Sequence, residues 1–407
     1  MSALDPTQLL DHTQANAQPM LAFLQDLVRI PSVNGRDSEN EVAQRVAREA
    51  RNLGLEVQLI TKNLDHTNVV VTLGRGSTSF DLIAHMDTVA EGDHASWNSP
   101  PFEAAIVDGN MIGRGTADNK AGLACGLYAM QLLRDQQMLD LDRYQVVLAG
   151  VVDEESGACS DLGVHHLLQE GLLHGKGAIY AYASDIVCIG HRGLIRLELT
   201  ARGESTHAGL AEWHQRRRGV NAVSGLADIL LRLEDLQIPV TPVRGFEHLG
   251  CTITPGTQFS GGNYPSVVPE KAVAMIDIRL LPGQNASQVL ASVQQVIDKV
   301  TKEREGLIVS SELLVNIPGA AIDYDHPLAN IAQKHARQYI GGAWEKRGAG
   351  PANEGYMLIG AGIPTLCGFG PTGGNAHAPN EWVSVESLPR TSAMFAAIVQ
   401  EYLSKFT

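Results

Sequence analysis

The run Tyr144–Val152, YQVVLAGVV, constrains the fold more than any other stretch of the chain. It is apolar on both alternating faces, so a strand made from it must be covered on both sides, as inside a sheet flanked by helices. It stops at Asp153-Glu154-Glu155-Ser156-Gly157, which puts two adjacent carboxylates where a buried strand surfaces. A second run of this kind, Phe80–Ala84, breaks directly into His85-Met86-Asp87. Further strand-like runs at Glu56–Ile60 and Asn68–Leu73 alternate with helical patterns at Pro19–Val28, Asp37–Leu53 and Ala121–Arg134. Strands separated by helices predict an α/β domain with a mostly parallel sheet and helices on both faces. In such sheets the ligand crevice lies outside the carboxyl ends of the strands, so His85, Glu154 and Glu155 are expected in one crevice.

At 407 residues the chain exceeds what one core usually supports, and two domains are expected. The pattern changes at Arg192. Strands at Gly193–Ala201, Gly250–Phe259, Lys271–Leu280 and Leu307–Val315, with helices at Val220–Leu236 and Ala286–Glu305, give the β-α-β-β-α-β order of a ferredoxin-like α+β unit. The reading is therefore a first domain from residues 1–191 and 318–407, with residues 192–317 inserted as a second. The remainder returns to the first style, with a helix at Pro327–Tyr339, a helix opened by Gly350–Gly355, a strand at Ile363–Phe369 and a loop from Gly370 to Asn380. Gly368–Gly373 formally matches a dinucleotide fingerprint, but loop follows it where a helix is required.

The formal net charge of −14 argues against nucleic acid or an anionic membrane as a partner, because phosphate binding is built on lysine and arginine excess. Met1–Gln18 has neither the charged nor the apolar region of a secretion signal, and no apolar run is long enough to span a bilayer. A soluble cytoplasmic protein acting on small molecules is expected. The five cysteines, Cys125, Cys159, Cys188, Cys251 and Cys367, form no C-x-x-C pair and read as buried thiols. No G-x-S-x-G elbow is present, which argues against a serine hydrolase.

What remains is chemistry at the strand ends. Asp87 is positioned to take the second N–H of His85, the arrangement that fixes a ligand imidazole. Gly113-Arg114-Gly115-Thr116-Ala117-Asp118-Asn119-Lys120 delivers another carboxylate from a glycine-rich turn. Alone, each feature has an ordinary reading: a turn histidine, a solvated helix start. Together they match a site for two cations about 3.5–4 Å apart, which needs a bridging carboxylate, further nitrogen and oxygen ligands, and a free base. In this reading His85 and His377 cap opposite ions and Asp118 bridges them. Glu155 binds one ion and Asp185 the other, and Glu154 stays free to move a proton.

The ordered motifs His85-x-Asp87, Gly113–Lys120, Asp153-Glu154-Glu155, Asp185 before Ile189–Gly193, and Ala376–Glu381 resemble the M20 metallopeptidase family. That family includes acetylornithine deacetylase, succinyl-diaminopimelate desuccinylase, aminoacylases and glutamate-releasing carboxypeptidases. The resemblance implies a zinc-exopeptidase-like catalytic domain holding two Zn2+, with Co2+ or Mn2+ as substitutes, through His85, Asp118, Glu155, Asp185 and His377. It also implies Glu154 as base and Asp87 as support, and a lid domain that forms a homodimer. Within that lid, His207 matches a histidine that stabilises the oxyanion, commonly from the partner subunit. Arg279 matches an arginine that binds the substrate carboxylate, the alternative being a structural arginine paired with Asp277. Asn263 stands three residues before the position, here Ser266, at which relatives carry a substrate-binding asparagine. The run Arg216-Arg217-Arg218 is either a solvated face or an attractor of anionic substrate. The function implied is hydrolysis of the amide bond of an N-acyl amino acid. A dipeptidase or carboxypeptidase is the alternative, and a non-catalytic metal-containing binding protein the remoter one.

Overall fold

A computed structural model describes residues 5–406; Met1–Leu4, the head of the polar stretch 1–18, and Thr407 lie outside the described residues. The chain divides into two compact units. One comprises residues up to His191, Ala321–Ala349 and Asn353 onward; the other comprises Arg192–Ala320 and Gly350–Ala352.

The first unit is built on a six-stranded sheet in the spatial order Glu56–Asn63, His66–Leu73, Tyr144–Val151, Thr78–His85, Ala178–Tyr180, Thr365–Leu366. Three pairings are parallel, those of Thr78–His85 with its two neighbours and that of the last two strands. The other two are antiparallel, so the sheet is mixed. The reason is local: Leu64 and Asp65 alone join the first two strands, a connection that makes a hairpin and is far too short for a parallel crossover.

Every residue of Tyr144–Val151 except Gln145 is buried, as its composition requires. On one face Ile83, Val147 and Ala149 meet Val164, Leu167 and Leu358. On the other lies the helix Ala121–Asp135, where a Cβ at Gly126 would stand 2.8 Å from Leu148. The C-terminal helix Ser387–Leu403 packs on that helix, and sequence periodicity misses it. The reason is burial on nearly every side, which leaves no polar stripe to mark one face. Also unpredicted is Pro6–Ala15, started by the Asp5 side chain, which accepts from Thr7 N at 3.2 Å. The expected strand Ile363–Phe369 shrinks to Thr365–Leu366. Among the cysteines, Cys159 is exposed and Cys251 half-buried, correcting the expectation of five buried thiols. Cys159 follows the strand-end loop, and Cys251 precedes an edge strand and packs only in part against the core of the second unit.

The second unit carries an antiparallel sheet ordered Thr252–Gly261, Lys271–Leu280, Gly193–Arg202, Ile308–Ile317. Ala222–Glu234 and Ala286–Glu303 are its two long helices, and Leu226, Ile229, Val293 and Ile297 form a core with Ile195, Ile276 and Ile278. Strand alternation of buried and half-buried residues follows from one covered face. Apart from the four-residue helix Ala211–His214, the order of these elements is β-α-β-β-α-β.

Candidate metal centre

His85 pairs in register with Val151 across the parallel strands, and Met86 N donates to Val151 O at 2.8 Å. The histidine and the Asp153–Glu155 loop therefore leave the sheet side by side. His85 is fully buried. Its Nδ1 lies 2.9 Å from the main-chain oxygen of Asp87, whereas the Asp87 carboxylate stands 3.5 Å away. The imidazole is thus steadied most closely by the backbone of Asp87, with the Asp87 carboxylate beside it. The carboxylate is engaged elsewhere: Glu154 N donates to Oδ1 at 3.2 Å and Glu155 N to Oδ2 at 2.9 Å. Asp87 thereby sets the height of the neighbouring loop relative to His85.

Asp118 sits in a turn entered through Gly115 at φ 87°, in the left-handed region where glycine is favoured. The turn is tied down by Glu381, whose carboxylate accepts from Gly115 N at 3.1 Å, Ala117 N at 2.8 Å, Asp118 N at 2.9 Å and Arg114 Nη1 at 2.5 Å. So held, Asp118 turns Oδ1 to His85 Nε2 at 2.8 Å and Oδ2 to His377 Nε2 at 3.2 Å. His377 also meets Glu155 Oε1 at 3.1 Å. One ligand atom from each of His85, Asp118 and Glu155 can be chosen within 4.8 Å of one another. Asp118 thus offers one oxygen to each imidazole, the disposition of a bridging carboxylate.

Electrostatics tests whether cations fit. Burial alone would lower the His85 pKa, but the Asp118 and Asp87 carboxylates outweigh it and hold the pKa well above the ordinary value. Hydrogen bonds that His377 donates to Asp118 and Glu155 raise its pKa to about 10. Asp118 falls below its ordinary value, because both imidazoles overcome the opposing effect of burial. With Nδ1–H directed at Asp87 O, a neutral His85 would turn the Nε2 lone pair toward the Asp118 oxygen, so a proton or a metal cation must lie between them. A mixed imidazole and carboxylate set can take that charge from Zn, Co or Mn, and the residues present fit such ions.

Glu154 is buried, and Tyr182 Oη lies 3.1 Å from its Oε1. Burial, with the nearby Glu155 and Glu354 carboxylates adding to it and His85 opposing, holds the Glu154 pKa well above the ordinary value. Beside it, Tyr180 Oη donates to Glu354 Oε2 at 3.1 Å, and the two tyrosine rings lie 5.2 Å apart. Sequence reasoning did not single out Tyr180, Tyr182, Asn34 or the anchoring function of Glu381. Tyr180 and Tyr182 alternate with alanine at a strand end and read as core, and Asn34 lies in no motif.

Asp185 is exposed and is not in the group formed by His85, Asp118 and Glu155. Its segment nonetheless runs beside the Asp118 turn, since Ala183 N donates to Ala117 O at 3.1 Å. In the second unit His207 is exposed, with Nδ1 accepting from Gly209 N at 3.1 Å, and Asn263 is exposed. Arg279 forks onto Asp277 at 2.7 and 3.2 Å, so its guanidinium has an intrastrand partner. Arg218 lies 3.3 Å from Glu204, and Arg216 and Arg217 are exposed.

Residues 82–401 match the model of peptidase family M20/M25/M40. The chain is 26% identical to a probable succinyl-diaminopimelate desuccinylase of Staphylococcus epidermidis over 81% of this chain and 83% of that protein. It is 25% identical to an acetylornithine deacetylase of Klebsiella pneumoniae over 95% and 98% respectively. The crystal structure of aminopeptidase PepT from Bacillus cereus superposes with a TM-score of 0.75 at 22% identity, covering 95% of this chain and 98% of that one. With the family's ordered motifs converging on the strand ends and the match spanning most of its length, this chain belongs to peptidase family M20/M25/M40, hydrolases of linear amides.

Proposed function

We propose that the protein is a dinuclear metal-dependent hydrolase that cleaves the amide bond of an N-acyl amino acid, as its desuccinylase and deacetylase relatives are named for doing. The observation that carries this reading is the division of Asp118 between two imidazoles, 2.8 Å from His85 and 3.2 Å from His377, beside an unshared buried Glu154. His85 and Asp185 would hold one ion, His377 and Glu155 the other, and Asp118 both. Such ions, when bound, lower the pKa of water and polarise the scissile carbonyl. Glu154 takes the proton of the attacking water at its carboxylate and returns it to the leaving nitrogen. Tyr182 Oη keeps that carboxylate aimed, and its shelter from solvent suits a group that must both accept and donate. His207 donates to the developing oxyanion and Arg279 pairs with the substrate carboxylate, exchanging Asp277 for it. Asn263 supplies a further polar contact. The second unit acts as lid and as the surface of a homodimer, and the protein works in the cytoplasm with zinc.

The test is a hydrolysis screen of acetyl-ornithine, succinyl-diaminopimelate and a dipeptide panel after defined metal reconstitution. Turnover of an N-acyl amino acid, abolished by chelator and by Glu154→Gln with metal content unchanged, supports the reading. Cleavage of dipeptides alone supports the peptidase alternative. Unchanged turnover in Glu154→Gln removes the assignment of the base.

A further inference from the structure

Fifty-one residues before His85, Asn34 holds the two ligand-bearing loops together. Its Nδ2 donates to Asp87 Oδ2 at 3.0 Å and to Asp153 Oδ1 at 2.8 Å. A primary amide has two hydrogens, and both neighbours are carboxylates that only accept, so the orientation of the amide is fixed by chemistry. Asp87 lies two residues past His85, and Asp153 immediately precedes Glu154 and Glu155. We infer that Asn34 is a positioning residue for the metal centre: its single NH2 staples the segment carrying His85 to the loop carrying Glu154 and Glu155.

The surroundings give the staple a rigid base. Asn34 N donates to Thr88 O at 2.9 Å, Thr88 N to Ser32 O at 2.9 Å, and Ser32 Oγ to Met86 O at 2.7 Å, so residues 32–34 run locked beside residues 86–88. Gly35, at φ 72°, then turns the chain away, with Arg36 N and Asp37 N both donating to Val33 O. On the other side Asp153 adopts φ 61°, a conformation a non-glycine residue holds only when its surroundings enforce it. Its Oδ2 accepts from Ser160 Oγ at 2.6 Å and its N–H donates to Glu39 Oε1 at 3.3 Å. Glu39 in turn is paired with His66 at 2.8 Å. Without the amide, Asp87 and Asp153 would face each other as like charges. Asp87 would then lose the fixed placement that lets it receive the N–H groups of Glu154 and Glu155.

The inference rests on the reading of His85, Asp118 and Glu155 as ligands, and the experiment separates the two. The full-length apoprotein and its Asn34→Ala, Asn34→Asp and Asp118→Asn variants are titrated with Co2+ and followed by visible absorption. Circular dichroism of each apoprotein reports the fold. Outer-shell partners of metal ligands are typically worth 10–100-fold in affinity. Asn34→Ala is therefore expected to weaken cobalt about 10-fold or more. The near-isosteric Asn34→Asp, which sets a third carboxylate against two others, should also weaken it and lower apoprotein melting. In the cobalt-saturated enzymes kcat should fall while KM stays near the parent value. Asn34→Ala alone decides if Asn34→Asp does not fold. Cobalt affinity and spectrum at parent values in Asn34→Ala, with binding lost in Asp118→Asn, overturns the inference and leaves the site intact. Parent-like cobalt binding in Asp118→Asn overturns both.

Discussion

Replacing Glu381 by glutamine tests how the Asp118 turn is held. Glu381 is fully buried, and Arg114, its partner at 2.5 Å, is 2% exposed. The remaining contacts are three main-chain N–H groups of the Asp118 turn. Glutamine keeps the size but substitutes an NH2 for one oxygen. Whichever way the amide turns, a donor meets donors: Arg114 and Gly115 on one side, Ala117 and Asp118 on the other. Removing one charge of a buried pair costs about 3–5 kcal/mol, and each buried donor left unpaired about 1–3 kcal/mol, with partial overlap between the two. A loss of about 4 kcal/mol is expected, a large fraction of the 5–15 kcal/mol typical of a folded domain. Burial, with Asp118 adding to it, pushes the Glu381 carboxyl up to about 7, against Arg114 and the backbone donors. Urea unfolding of the apoprotein is therefore followed at a pH well above that value. The double variant Glu381→Gln/Arg114→Met should recover part of the loss, because no unpaired guanidinium remains buried. A single variant within about 1 kcal/mol of the parent, or a double variant as unstable as the sum of the singles, would refute the reasoning.

Other variants probe separate parts of the molecule. Burial pushes the Asp81 carboxyl up to about 7, with Oδ1 lacking a hydrogen-bond partner among the described residues and Oδ2 accepting from Gly175 N at 2.8 Å. The folded chain then binds more protons than the unfolded one between the ordinary aspartate value and about 7, so Asp81 lowers stability as pH rises through that window. Asp81→Asn should gain melting temperature over the parent from pH 5 to 8; an advantage that does not change with pH contradicts this. A Cβ at Gly122 would meet Ala181 O at 2.4 Å and Ala181 Cβ at 2.8 Å. Gly122→Ala should cost about 1–3 kcal/mol in urea unfolding, and a neutral result would mean that the helix can move off the sheet. Tyr182→Phe removes the hydroxyl 3.1 Å from Glu154 and should lower kcat about tenfold with metal content intact. An unchanged kcat would show that Glu154 needs no such guide.

The parts of this protein that sequence makes legible are those in which one stretch of chain carries its own signal. Tyr144–Val152 had to be covered on both faces, and the glycines around Arg114 marked a turn that could expose Asp118. His85, Asp118, Glu155 and His377 could be named because their motifs sit at strand ends and loops. What stayed hidden depends on partners distant in sequence. Ser387–Leu403 is buried almost all round and carries no periodic stripe. Asp87 binds through its backbone oxygen to His85 and through its carboxylate to the next loop, a division that depends on the strand register. Glu381 and Asn34 act on residues 263 and 119 positions away; Asn34 lies in no motif, and the motif that ends in Glu381 does not show that its carboxylate anchors the Asp118 turn.

The most direct measurement is anomalous scattering at the zinc edge from crystals of the zinc-loaded protein. The account predicts two peaks, one on either side of Asp118, the first within about 2.0–2.2 Å of His85 Nε2 and the second equally close to His377 Nε2 and Glu155. An absence of peaks there, or zinc bound elsewhere with Asp118 touching no ion, would contradict it.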